Sequence, residues 1–164
     1  MQEYNEWANL QKQENNTNKT TNTVSVVLSG LLYNYSKINN NALANNKIQV
    51  VNGKYDDKYI NGVWQNPYDT NITFAIASPV ITLSKANVAV TLPTTLWQKN
   101  VSTSSIDIDF GDGTGYKSLN NAATASTTYT TIGNYTWTYK VQLSGGQYKY
   151  CRQKVIVKQF ITTV

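Results

Sequence analysis

Three carboxylates, Asp107, Asp109 and Asp112, lie close together where an alternating run, Ser105-Ile106-Asp107-Ile108-Asp109-Phe110, meets the glycine-rich stretch Gly111-Asp112-Gly113-Thr114-Gly115. Carboxylates beside a turn supply oxygens to Ca²⁺, which takes about six to eight oxygen ligands at about 2.3–2.6 Å. The closing Glu of an EF-hand loop is missing, since no Glu occurs after Glu14. The competing reading is a turn whose aspartates are solvated or accept bonds from turn amides. As a glycosidase pair, Asp107 and Asp109 would need a cleft between them and one raised pKa. Neighbouring positions on one exposed strand face offer neither.

A second group consists of aromatics. Tyr55, Tyr59, Trp64 and Tyr68 stand among Asp56, Asp57, Asn61, Asn66 and Asp69 in a turn-rich stretch. Exposed rings beside amides and carboxylates stack on sugars and bond their hydroxyls, and flat aromatic area also anchors protein partners. The plainer alternative is that these rings pack over a small core.

Other chemistry is limited by omission. The chain has no His, which removes a Ser-His-Asp triad and His-ligated zinc. Its one cysteine, Cys151, cannot form an internal disulfide, and with no imidazole available as a base it reads as a small buried strand residue. No glycine-rich loop leads into Lys-Ser or Lys-Thr. The expectation is a protein that is not an enzyme and holds no cofactor.

Charge is sparse and basic. Only 14% of residues are charged, with fourteen Lys and Arg against nine Asp and Glu, a net charge of +5. Lys149, Arg152, Lys154 and Lys158 cluster near the end. A phosphate-binding stripe interleaved with aromatics has this appearance. Lysines that discourage edge-to-edge pairing of a strand account for it better, so nucleic acid is not expected as a partner. An acidic polysaccharide or cell-surface polymer fits more readily. Polarity comes instead from Asn, Thr, Ser and Gln, with 21 asparagines. Six Asn-x-Ser/Thr sequons, beginning at Asn15, Asn18, Asn34, Asn71, Asn100 and Asn134, are what chance gives in so Asn- and Thr-rich a chain. Neutral polar residues with twelve Tyr and four Trp suit half-buried pleated surfaces.

The start, Met1 to Glu6, lacks a basic region followed by an apolar run, so it does not read as a signal peptide. The most apolar stretch, Val24 to Tyr33, is too short to cross a bilayer as a helix, and no membrane insertion is expected. If the protein is secreted, the segment is expected to be one section of a longer chain.

The elements that must position these residues are strands. Residues 1–23 read as a flexible arm or linker, with Tyr4, Trp7 and Leu10 at helical spacing followed by a stretch without aliphatics. Residues 24–77 read as β-rich with unknown topology. Candidate strands there are Val24-Ser25-Val26, Leu31 to Tyr35, Lys47 to Val51, Tyr59-Ile60, Val63-Trp64 and Ile72 to Ala77, with Asn52-Gly53 and Asn61-Gly62 as hairpin turns. Residues 78–164 read as a β-sandwich. Ile106, Ile108 and Phe110 share one face, as do Tyr135, Trp137, Tyr139, Val141 and Leu143, leaving Asp107 and Asp109 on the wet side. Ser144-Gly145-Gly146 joins the aromatic strand to a last strand whose Val155 and Val157 point inward. Several short strands separated by turn signals make the fold class all-β, an immunoglobulin-like sandwich in the C-terminal half.

Asp109-Phe110-Gly111-Asp112-Gly113-Thr114, followed about twenty residues on by Gly133-Asn134-Tyr135-Thr136-Trp137, resembles the polycystic-kidney-disease (PKD) domain family over roughly residues 78–158. That family has a Trp-Asp-Phe-Gly-Asp-Gly strand and turn, then a Tyr and a Gly-x-Tyr-x-Val strand. Tyr129, Gly133 and Tyr135 take the second set of positions. Ile108 stands where the family has Trp, and Trp137 is expected to fill that volume from the facing strand. The resemblance implies a spacer, adhesion module or accessory domain of a secreted protein. The Asn-rich composition and the stretch Ile106 to Tyr116 also resemble large surface proteins of Bacteroidetes, many of which travel by type IX secretion. Taken together, the chain is expected to be a non-catalytic extracellular or cell-surface module acting as spacer, adhesion or docking domain. Its expected partners are other domains of a larger chain, other surface proteins, or polysaccharide. Two alternatives are a carbohydrate-binding accessory module using Tyr55, Tyr59, Trp64 and Tyr68, and a subunit of a surface filament or secreted assembly.

Overall fold

The computed structural model describes residues 22–160. The helical spacing of Tyr4, Trp7 and Leu10 and nearly all of the 1–23 arm lie outside the described residues. Two compact units divide the chain. One comprises residues up to Leu32 together with those from Phe74 onward, and the other is Tyr33–Thr73.

The first unit is a sandwich. Strands β1 (Thr23–Val27), β9 (Asn87–Thr91) and β13 (Thr124–Thr128) form one sheet in the order β1-β9-β13. The second sheet runs β12-β11-β14-β15-β8, from Tyr116–Ser118, Thr103–Asp109, Gly133–Leu143, Tyr148–Val157 and Thr82–Leu83 respectively. A small third sheet places β10 (Trp97–Lys99) beside β2 (Ser29–Ile38), which neighbours β7 (Tyr68–Ala77).

Period-two alternation decides what goes inside. Along β14, Trp137, Tyr139, Val141 and Leu143 are buried, and along β11 Ile106 and Ile108 are, with Phe110 just beyond. Val24 and Val26, Val88 and Val90, and Ala125 with Thr127 supply the inner positions of the other sheet. Burying a side chain of Val, Leu or Phe size contributes about 1.5–3 kcal/mol, so these rows carry the unit's stability.

Trp137 is fully buried and meets Phe110 edge to face, ring centroids 5.4 Å apart. It reaches that position from β14, the neighbour of β11 in the same sheet, rather than from an opposing strand. Its indole N–H donates to the Tyr129 hydroxyl at 2.8 Å, and that hydroxyl donates to the Phe110 carbonyl at 2.8 Å. Every polar tip in this aromatic cluster therefore has a partner, which is what makes so much buried Trp and Tyr tolerable. Burial pushes the phenols of Tyr129 and Tyr139 well above the ordinary tyrosine range.

Gly111 shows why the strand-to-turn junction needs glycine. Its φ is +72°, and a Cβ there would sit 2.6 Å from the Thr136 carbonyl oxygen. A side chain would meet both a strained backbone conformation and the backbone of β14.

The unit boundaries differ from the division at residue 78 expected from sequence. Residues 24–27 pair in parallel with 88–91 on β9, completing the first sheet. At the other junction, Ser78 N–H donates to Gln153 Oε1 and Gln153 Nε2 donates to the Ser78 carbonyl, both at 2.9 Å. The Ile76 amide likewise donates to Cys151 Sγ at 3.2 Å. Residues 24–32 and 74–77 thus belong with the sandwich, because pairing and side-chain clamps cross the interval that local pattern had separated.

Tyr33–Thr73 is a ribbon that contains residues 33–38 of β2 and 68–73 of its neighbour β7, together with two short hairpins. β3 (Ile48–Val51) pairs antiparallel with β4 (Lys54–Asp57), and β5 (Tyr59–Ile60) with β6 (Val63–Trp64). Both hairpins close on Asn-Gly turns with two successive positive φ values, Asn52 51° and Gly53 77°, Asn61 52° and Gly62 79°. That geometry matches the twist of the flanking strands.

Candidate functional site

In the ribbon, aromatic residues reach solvent. Tyr55 is 70% exposed, Tyr59 59%, Tyr68 46% and Trp64 42%. Packing over a small core does not describe them. Among the 41 residues of this unit only Ala42, Ile48 and Pro67 are buried, whereas twelve large apolar or aromatic side chains stand exposed.

Amide bonds hold the ribbon where a core would otherwise do so. Asn39 Nδ2 donates to Asp69 Oδ2 at 2.8 Å, and Asn39 Oδ1 accepts the Asn41 amide at 2.8 Å. Gln49 Nε2 donates to the Asp57 carbonyl at 2.8 Å, and Asn66 Oδ1 accepts the Tyr68 amide at 3.0 Å. Ten of the 21 asparagines fall in this quarter of the chain, where Asn39 and Asn66 make such bonds and Asn52 and Asn61 form turns.

The four aromatics form two pairs. Tyr59 and Trp64 sit opposite one another across the β5–β6 hairpin, and the Trp64 indole donates to Asp57 Oδ1 at 3.2 Å. Tyr55 and Tyr68 instead line a shallow cleft of about 280 Å³ with Asp56, Asp57, Ile38 and Ile48. Rings with carboxylates at their edges can stack a flat or apolar partner surface and bond its donors.

The aspartates of the 105–115 stretch separate. Asp107 and Asp109 lie on β11, facing away from Ile106 and Ile108. Asp109 Oδ1 accepts the Gly111 amide at 2.8 Å. Asp112 turns the other way. One of its oxygens accepts from the Thr114 amide at 3.1 Å and the Thr114 hydroxyl at 2.6 Å, and the other accepts from the Thr127 hydroxyl on β13. Burial pushes its carboxyl up, but the bonds from Thr114 and Thr127 and the charge of Lys117 outweigh this and hold it below the usual range. No group of three acidic, Cys or His side chains able to hold a metal occurs among the described residues, so the calcium triad of Asp107, Asp109 and Asp112 is not assembled. Asp112 ties the turn to the opposite sheet, and its oxygens are spent on that.

Cys151 is half-buried with its thiol against Ile76, and burial pushes its pKa up, so it is held as a thiol. No described helix is long and apolar enough to cross a membrane. No protein-family model matches the chain, and no curated protein matches it.

Sequence reasoning missed the five-strand outer face, where Tyr116, Lys140, Tyr148, Tyr150 and Arg152 come together. The signal was present as alternate positions of β14 and β15, but Tyr116 is brought in by β12, a three-residue strand with no apolar period.

Proposed function

We propose that this chain is a non-catalytic docking module of a larger secreted or cell-surface protein, with a PKD-like sandwich as scaffold and the Tyr33–Thr73 ribbon as contacting element. The observation that carries this reading is the ribbon's inversion of the usual burial rule. A unit of 41 residues with three buried apolar positions and twelve exposed large ones has its apolar surface available for a partner. The absence of His, the protonated lone thiol and the structural use of Asp112 support a role without chemistry. The expected partner is another domain or surface protein, because Val50, Val51, Ile60 and Val63 add aliphatic area that sugars do not require.

A photo-reactive aromatic residue placed at Tyr59, in the whole protein on its native cell surface, tests this. A discrete protein adduct that disappears when Trp64→Ser is added supports it. Absence of any adduct from position 59, or an adduct indifferent to Trp64, would sink the idea.

The carbohydrate reading draws on one specific arrangement, Tyr59 and Trp64 side by side with Asp57 bonded to the indole. Glycan-array binding lost in Trp64→Ala would favour it over a protein partner.

A further inference from the structure

The outer face of the five-stranded sheet carries a second, chemically different surface. Strand register lays it out as a grid. Tyr116, Asp109, Thr138 and Arg152 form one row across β12, β11, β14 and β15, and Ser118, Asp107, Lys140 and Tyr150 form the next. Gln142 and Tyr148 begin a third row, and Thr136 with Lys154 flanks the first.

Two features set this face apart from ordinary solvated sheet. Two of its cations, Lys140 and Arg152, are held over rings. Lys140 Nζ lies 4.0 Å from the Tyr116 ring centroid and 5.3 Å from that of Tyr148, and the Arg152 guanidinium is 5.9 Å from Tyr150. Neither Lys140, Arg152 nor Lys154 forms an ion pair among the described residues. An ammonium over a ring keeps its charge and is fixed in place, so less ordering is lost when an anion arrives. The surrounding field is also positive, because the described part of the sandwich unit carries eight Lys and Arg against three Asp. Five of the eight lie on or just beyond β14 and β15.

We propose that this face binds an acidic polysaccharide. Lys140 and Arg152 would take the polymer's carboxylates or sulfates, and the tyrosines would lie against its sugar rings. Asp107 and Asp109, on the same face, can accept from the hydroxyls of a sugar chain, donors that a DNA phosphodiester backbone lacks. This surface lies wholly within the sandwich unit and does not depend on the role given to the ribbon.

The test is titration of the full chain with sodium alginate, dextran and an oligothymidylate, at about 0.05 M and about 0.5 M salt, which spans the range over which exposed charges are screened. Alginate is expected to bind, more weakly at the higher salt. Lys140→Gln with Arg152→Gln should weaken binding about tenfold, as fits loss of charge-assisted contacts. Lys54→Gln with Lys58→Gln removes the same charge from the ribbon and should leave binding unchanged. Thermal melting checks folding. Should the first double variant melt early, Arg152→Gln alone, an exposed position, replaces it and should weaken binding severalfold. Absence of alginate binding, dextran binding equal to alginate, tighter binding of the oligothymidylate, or equal loss in both double variants would each overturn the proposal.

Discussion

In the sandwich core, aromatic side chains close their polar tips on one another, Trp137 on Tyr129 and Tyr129 on the Phe110 backbone. In the ribbon, rings of the same kinds turn to water, and asparagine and glutamine amides hold the backbone in their place. The buried core and the large exposed apolar surface are thus concentrated in different regions. The difference teaches that residue type alone does not set burial. Strands joined in sheets of three and five can cover their apolar rows, whereas isolated two-stranded hairpins are marginal by themselves.

The comparison breaks most easily at its two tryptophans. Trp137→Ala should cost about 3–5 kcal/mol, since a large cavity opens and the Tyr129 hydroxyl loses its donor. Trp64→Ala should change stability by no more than about 0.5 kcal/mol, as exposed substitutions usually do. Urea denaturation of both variants reads the contrast, and equal losses would erase the distinction.

Glycine gives a second contrast. Gly111→Ala forces a Cβ against the Thr136 carbonyl at positive φ and should cost about 2–3 kcal/mol. Gly53→Ala, also at positive φ but with nothing within 4 Å, should cost about 1 kcal/mol and only within the ribbon. Melting followed by tryptophan fluorescence and by amide exchange near residue 53 would separate the two.

Acid and alkali act on the sandwich. Asp112 has a folded pKa below its ordinary value, so its stabilisation is present above the unfolded value of 3.8 and fades as pH falls through the folded one. Asp112→Ala should cost about 1–2 kcal/mol at neutral pH, the loss of charge-assisted hydrogen bonds, and should flatten the acid limb below about pH 4. For Tyr129 and Tyr139 the folded pKa lies above the unfolded 10.0, so their contribution is full below pH 10.0 and is lost as pH rises beyond it. Tyr129→Phe should blunt that alkaline loss, measured as melting temperature against pH.

Legibility followed the strength of the alternation. β11, β14 and β15 declared themselves through Ile106, Ile108, Trp137, Tyr139, Val141, Val155 and Val157, and both Asn-Gly hairpins through turn chemistry. β13 did not, because its inward residues are Ala125 and Thr127, too small or too polar to mark a period. The parallel pairing of β1 with β9 joins positions more than sixty residues apart, which no local pattern encodes. The aromatics of the candidate site were visible as residues, but their exposure was not, since whether a ring is covered depends on partners elsewhere in the fold. The carboxylate cluster failed as a unit for a similar reason. Strand alternation and the Thr127 hydroxyl send Asp109 and Asp112 to different places.

The division of labour is tested most directly by residue-resolved hydrogen exchange on the intact chain. Amides of Trp137 to Val141 should exchange only with global unfolding, while those of Gln49 to Val63 should exchange through local opening at a much smaller free energy. Equal protection in the two stretches would mean the ribbon is stabilised as firmly as the sandwich, and the account would be wrong.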